Sequence, residues 1–152
     1  QQMGSIELFP ITAELTYGLE RLAMYIQRKN NVFELKYCDD ITYGEIYKEA
    51  ESQWSVYNID LADIEMLKRQ FDMWESECQK ILNKKLIYPA HELVLKCSHA
   101  FNMLDSRGAI SVTERTNYIR RVRDLARLVA KEYLAHREEL GFPLLKSNYH
   151  PK

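Results

Sequence analysis

Glu14-Leu-Thr-Tyr-Gly-Leu-Glu-Arg21 runs without a break into Leu22-Ala-Met-Tyr-Ile-Gln27, and the junction between the two decides how the chain is read. The first piece opens as a β-like stretch and passes through Gly18. The second is an amphipathic helix with Leu22, Tyr25 and Ile26 on one side. Such a junction has chemical uses. Glycine carries no side chain, so a flat base can lie directly against the backbone at Gly18. Arg21 offers a planar guanidinium that can stack on that base or reach a phosphate, and it keeps its charge near neutral pH. A helix starting at about Leu19 aims its first N–H groups at the same place, which suits an anion. The plainer reading makes Glu20 and Arg21 a solvated pair at an ordinary helix start, with Leu22, Tyr25 and Ile26 facing a core.

Working outward, residues 5–9 and 12–17 read as two short strands separated by Pro10. The helix from Leu19 to about Arg28 closes at Lys29-Asn30-Asn31, and a short extended piece from Val32 to Tyr37 ends at Asp39-Asp40. Thr42 with Glu45 three residues later makes a capping box, so a helix is expected from there until it fades near Trp54 to Tyr57. Asp60 is expected to cap a long helix to about Lys84, with Ile64, Leu67, Phe71, Trp74, Cys78 and Ile81 at helical spacing. Pro89 interrupts, His91 to Leu104 reads as a further helix, and Ser111 with Glu114 opens the longest one, to about Leu140. Gly141 and Pro143 stop it, and Ser147 to Lys152 reads as a polar, frayed tail.

The expected fold class is therefore α+β, mostly helical. At 152 residues the chain is about one domain in size and long enough to bury a core. A composition of 46% hydrophobic and 28% charged residues, with five Gly and four Pro, points to a soluble, helix-rich protein. No apolar run approaches the ~20 residues of a membrane span, and no signal segment opens the chain. Cys38, Cys78 and Cys97 are odd in number and widely spaced, which fits reduced thiols in the cytoplasm.

The junction at Gly18 resembles motif 3 of class II aminoacyl-tRNA synthetases, the motif that grips ATP, in the variant of the glycyl and alanyl branch. The likeness extends along nearly the whole chain. Gln1-Gln2-Met3-Gly4 through Pro10-Ile-Thr-Ala-Glu14, Ile41-Thr-Tyr-Gly44, Ser55-Val-Tyr-Asn58, Ala100-Phe-Asn-Met-Leu-Asp-Ser-Arg107, Ile110-Ser-Val-Thr-Glu-Arg115 and Arg137-Glu-Glu-Leu-Gly-Phe-Pro143 are similar, in order, to blocks of the bacterial glycyl-tRNA synthetase α subunit. Ala13 departs from the family pattern, which has glycine there. The resemblance implies a remnant of the class II antiparallel sheet followed by a C-terminal helical bundle. The domains implied are 1–40, the end of the catalytic domain with motif 3; 41–146, a helical domain; and 147–152, the tail. It also puts residue 1 inside the catalytic domain, after motifs 1 and 2, so a C-terminal portion inactive by itself is expected.

The implied activity is ATP-dependent ligation of glycine to tRNA(Gly) through a glycyl-adenylate. Arg21 is then the catalytic and ATP-binding cation and Gly18 its companion at the base. Glu14, seven residues before the arginine, matches the acid that anchors the substrate ammonium, with Thr12 and Gln2 as further amino-acid contacts. Mg²⁺ is expected only with the ATP phosphates. No metal motif is present, since His91, His99, His136 and His150 lack ligand spacing and Cys97-x-His99 is weak alone. The implied partners are the separate β subunit and a second α subunit, in an α₂β₂ assembly. Arg120, Arg123, Arg127 and Lys131 fall along one side of the last helix, read either as a phosphate-facing stripe or as a solvated or intersubunit face. The competing function is a helical docking or tRNA-contacting module with no catalytic role.

Overall fold

In the computed structural model, which describes residues 2–7, 11 and 13–143, the elements follow where the sequence supplies both an apolar face and a means of ending it. In order they are β1 (Gln2–Met3), β2 (Ile6–Glu7), α1 (Leu19–Gln27), a 3₁₀ turn (Val32–Glu34), β3 (Lys36–Cys38) and β4 (Ile41–Thr42). Then come α2 (Tyr43–Val56), a π turn (Tyr57–Leu61), α3 (Ile64–Leu82), α4 (Ile87–Ser106) and α5 (Val112–Glu139). Two antiparallel pairs, β1 with β2 and β3 with β4, accompany the helices, so the class is α+β and mostly helical. The backbone gathers into two units: Thr12–Ala62, and Gln1–Ile11 together with Asp63–Lys152.

The larger unit is a three-helix bundle. Short links at 83–86 and 107–111 make sequence neighbours antiparallel. Helix α4 lies between the other two and buries Ile87, Ala90, Val94, Cys97, Ala100, Met103 and Leu104. Its small residues Ala90, Cys97 and Ala100 let α3 come close, bringing in Leu67, Phe71, Cys78 and Leu82. From the other side α5 contributes Tyr118, Leu125, Val129 and Ala130. Phe71 meets Tyr118 edge-on at 4.8 Å, and the Arg121 guanidinium lies 4.4 Å from the Phe71 ring while bonding Glu75 and Asp72. The Glu75 hydrogen bonds hold Arg121 firmly protonated. Cys78 donates to the Ala90 carbonyl and Cys97 to that of Phe71. Burial raises both thiols, Cys97 to about 12. At the β1–β2 turn Gly4 has φ +55°, and a Cβ there would overlap the Arg127 backbone, so glycine is needed on both counts.

In the smaller unit the links are local. The Gln27 side chain accepts from Lys36 N (2.8 Å) and donates to Lys36 O (3.0 Å), imitating a strand partner and tying α1 to β3. Helix α1 ends at Arg28 in the left-handed region, where Lys29 N reaches back to Met24 O. Gly44 at the start of α2 lies so close to the 3₁₀ turn that a Cβ would come within 2.7 Å of the Phe33 carbonyl oxygen.

Both capping boxes form, Thr42 with Glu45 and Ser111 with Glu114. Several details differ from expectation, among them the piece read as extended from Val32 to Tyr37, whose first half is the 3₁₀ turn Val32–Glu34. The long helix starts after Asp63, not Asp60, because the chain leaving α2 winds into the π turn, which takes up Asp60. Pro89 does not interrupt: it occupies the first turn of α4, where an N–H has no intrahelical acceptor and its loss costs nothing. Residues 13–17 form no strand and are exposed. Strand backbone must pair laterally, and among the described residues no strand pairs with them. Of the expected strand at 5–9, Ile6–Glu7 is present and 8–9 lie outside the described residues.

Candidate functional site

Helix α1 starts without a capping side chain. Its N-cap is Gly18, at φ −69° and ψ 111°; α4, with Leu86 at the N-cap, also lacks a capping side chain, whereas α2, α3 and α5 each have a side-chain oxygen bonded to their first turn. The N–H groups of the first turn of α1 are thus left for solvent or for an anion. Gly18 has an ordinary φ, and a Cβ placed on it would meet nothing within 4 Å among the described residues. Neither backbone conformation nor packing requires glycine here, and glycine is itself a common residue at a helix N-cap.

Arg21, one turn on, has no hydrogen bond or ion pair among the described residues. With Gly18, Glu20, Met24 and Val32 it lines an open concavity of about 470 Å³. Val32 arrives there because Asn31 caps the 3₁₀ turn, its side chain accepting from Phe33 N. Glu20 accepts from the Tyr43 hydroxyl at 3.3 Å, and desolvation followed by the Glu20 charge pushes that phenol above its usual value. Glu20 keeps its charge while it accepts this bond, so the concavity carries one carboxylate and one guanidinium, neither of them in an ion pair among the described residues.

Glu14 is exposed and accepts a hydrogen bond from the Thr16 hydroxyl. It does not line the concavity with Gly18 and Arg21. Thr12 lies outside the described residues. Gln2 is exposed in β1 opposite Glu7, within the other unit. So Gly18 and Arg21 are brought together, and Glu14 is held by a neighbour the sequence reading passed over. Thr16 sits two residues from Glu14, a spacing that puts side chains on one face of an extended chain; that signal was available. Met24 is one turn from Arg21, while Val32 had no signal of its own. Among the described residues no group of three or more His, Cys, Asp or Glu side chains is arranged to hold a metal. Among them, no helix is long and apolar enough to cross a membrane.

The family model described as the glycyl-tRNA synthetase alpha subunit matches residues 1–138. That span includes the Gly18–Arg21 junction and all of α1 to α4.

Proposed function

The chain belongs to the glycyl-tRNA synthetase alpha subunit family, whose activity is that of a glycine–tRNA ligase of the class II aminoacyl-tRNA synthetases, and on that premise we propose that Gly18 and Arg21 bind ATP and Glu14 binds glycine. Two half-reactions follow. The glycine carboxylate attacks the α-phosphorus of ATP, the bond to the bridging oxygen breaks, and pyrophosphate leaves; Mg²⁺, where it accompanies the ATP phosphates, would offset their charge. A terminal ribose hydroxyl of tRNA then attacks the acyl carbon and AMP leaves. Chemistry of this kind relies on placed cations and dipoles rather than on a protein nucleophile.

The observation that carries the reading is the unpartnered Arg21 at a helix start that lacks a capping side chain. Its guanidinium and the free N–H groups of the first turn of α1 offer donors at one concavity, which Glu20 also lines, and ATP would bring phosphate to them. The bare backbone at Gly18 gives the adenine ring a surface to lie on. Glu14, steadied by Thr16, pairs with the glycine ammonium, with Thr12 as a further contact. Glycine has no side chain to grip, so selectivity comes from walls that reject a Cβ. Families of this kind work with tRNA and a partner subunit; the α₂β₂ assembly, with the β subunit providing most tRNA recognition, is part of the same proposal.

Glycine-dependent ATP–pyrophosphate exchange by the complete α subunit with its partner is the test. Arg21→Ala lowers exchange by about 10²–10³, the usual cost of one placed charge contact in the transition state. Glu14→Gln raises the KM for glycine much more than that for ATP. Near-normal exchange by Arg21→Ala removes the arginine from the site, and a larger effect of Glu14→Gln on ATP reassigns that carboxylate.

A further inference from the structure

Two sets of cations on α5, Arg137 in its last turn aside, differ in what they touch. One set is paired with carboxylates of neighbouring helices: Arg121 bonds Glu75 and Asp72 of α3, and Arg115 bonds Asp105 of α4 at 3.0 Å. Arg120, Arg123, Arg127 and Lys131 are exposed on the side of α5 away from the buried Tyr118, Leu125 and Val129. Among the described residues none of the four has a carboxylate partner; Arg120 donates only to the Asn117 side chain, at 2.9 Å. Asp124 is the one acid among them on that face. From residue 107 to 137 the chain carries eight basic and three acidic residues, a local net of +5 within a chain of net −1.

We propose that Arg120, Arg123, Arg127 and Lys131 form a docking surface for the sugar–phosphate backbone of tRNA. The proposal rests on the family's use of tRNA, and it adds a contact surface to that reading. Charge complementarity selects the occupant. At about 1.5 Å per residue the four cations span roughly 16 Å, long enough to follow several successive phosphates. Cations kept clear of carboxylates stay available to a polyanion, and phosphate contacts position a nucleic acid without reading its sequence. The packing keeps the stripe in place: the opposite face of α5 is locked by Leu125 and Val129, and the Gly4 turn lies against the Arg127 backbone.

The experiment uses the assembled complex of α subunit and partner subunit. The quadruple variant Arg120→Gln, Arg123→Gln, Arg127→Gln, Lys131→Gln is titrated with tRNA(Gly) and with an unrelated tRNA over a range of salt. Affinity at about 0.1 M salt falls roughly 10- to 100-fold for both, and the slope of log K against log salt shrinks by about 3, near 0.7–0.9 per lost contact. Glycine-dependent pyrophosphate exchange, which needs no tRNA, stays at the wild-type rate. Unchanged affinity and slope overturn the proposal. Failure of the variant to associate with its partner subunit also overturns it, in favour of a subunit interface. The single variant Asp124→Asn reads the same surface in the opposite direction: binding tightens a few-fold at low salt, and no change counts against the stripe. Should the wild-type complex show no exchange with glycine, the catalytic reading fails, while the tRNA titration still decides the surface.

Discussion

The bundle and the Thr12–Ala62 unit are both helical, yet they are held by different means. In the bundle Phe71, Leu104 and Leu125 are almost wholly buried, and three helices share one core. In the smaller unit only Leu35 and Ala62 are buried among the described residues, while Leu15, Tyr25 and Ile26 are 83%, 86% and 76% exposed. Burial of apolar side chains stabilises the first; caps, a side-chain clamp and one close backbone approach shape the second. Glu14, Gly18 and Arg21 lie in the second, where few side chains are buried. Segments that bind and release ligands are commonly drawn from the less stable part of a protein, which accords with the proposed placement of the nucleotide site.

Three substitutions test that contrast, in descending order of expected effect. Phe71→Ala empties the centre of the bundle and lowers stability by about 3–5 kcal/mol in chemical denaturation; a loss under about 1 kcal/mol would erase the distinction between the units. Gly44→Ala forces a Cβ toward the Phe33 carbonyl oxygen. The clash costs about 1–3 kcal/mol and stays local, so hydrogen exchange speeds up across 32–56 and is unchanged from Leu67 to Leu104. Spread of that effect into the bundle would mean that the units unfold as one. Gly18→Ala has room for its methyl group and costs at most about 1 kcal/mol as an N-cap exchange. It raises the KM for ATP and spares that for glycine, and an unaltered ATP KM takes Gly18 out of the site.

What the sequence made legible follows from the range of each interaction. Capping boxes are complete within four residues, so Thr42–Glu45 and Ser111–Glu114 could be read directly. The apolar positions of α3 and α4 repeat with the helix period and were equally plain. Asp60 looks as good a cap as Asp63; choosing between them required knowing that the chain after α2 continues into a π turn. The apparent strand at 12–17 has suitable residues, but a strand depends on a distant neighbour that no local pattern announces. Gly18 and Arg21 lie within one turn of each other, so their meeting was predictable. Val32 reaches the same concavity only through the fold of the loop after α1. The family was legible for another reason: its blocks recur in order along the chain, and order over that distance does not depend on knowing the fold.

The sulfur atoms extend the contrast between the units to a practical use. Only a thiolate attacks an electrophile readily, and Cys78 and Cys97 are buried with their thiols held protonated. Cys38 is exposed at the end of β3, the strand that Gln27 clamps to α1. A maleimide dye added to the folded protein will therefore colour a single native sulfur, in the unit that carries Arg21. Its emission can follow the arrival of nucleotide at α1 while the bundle stays dark, with no cysteine added or removed.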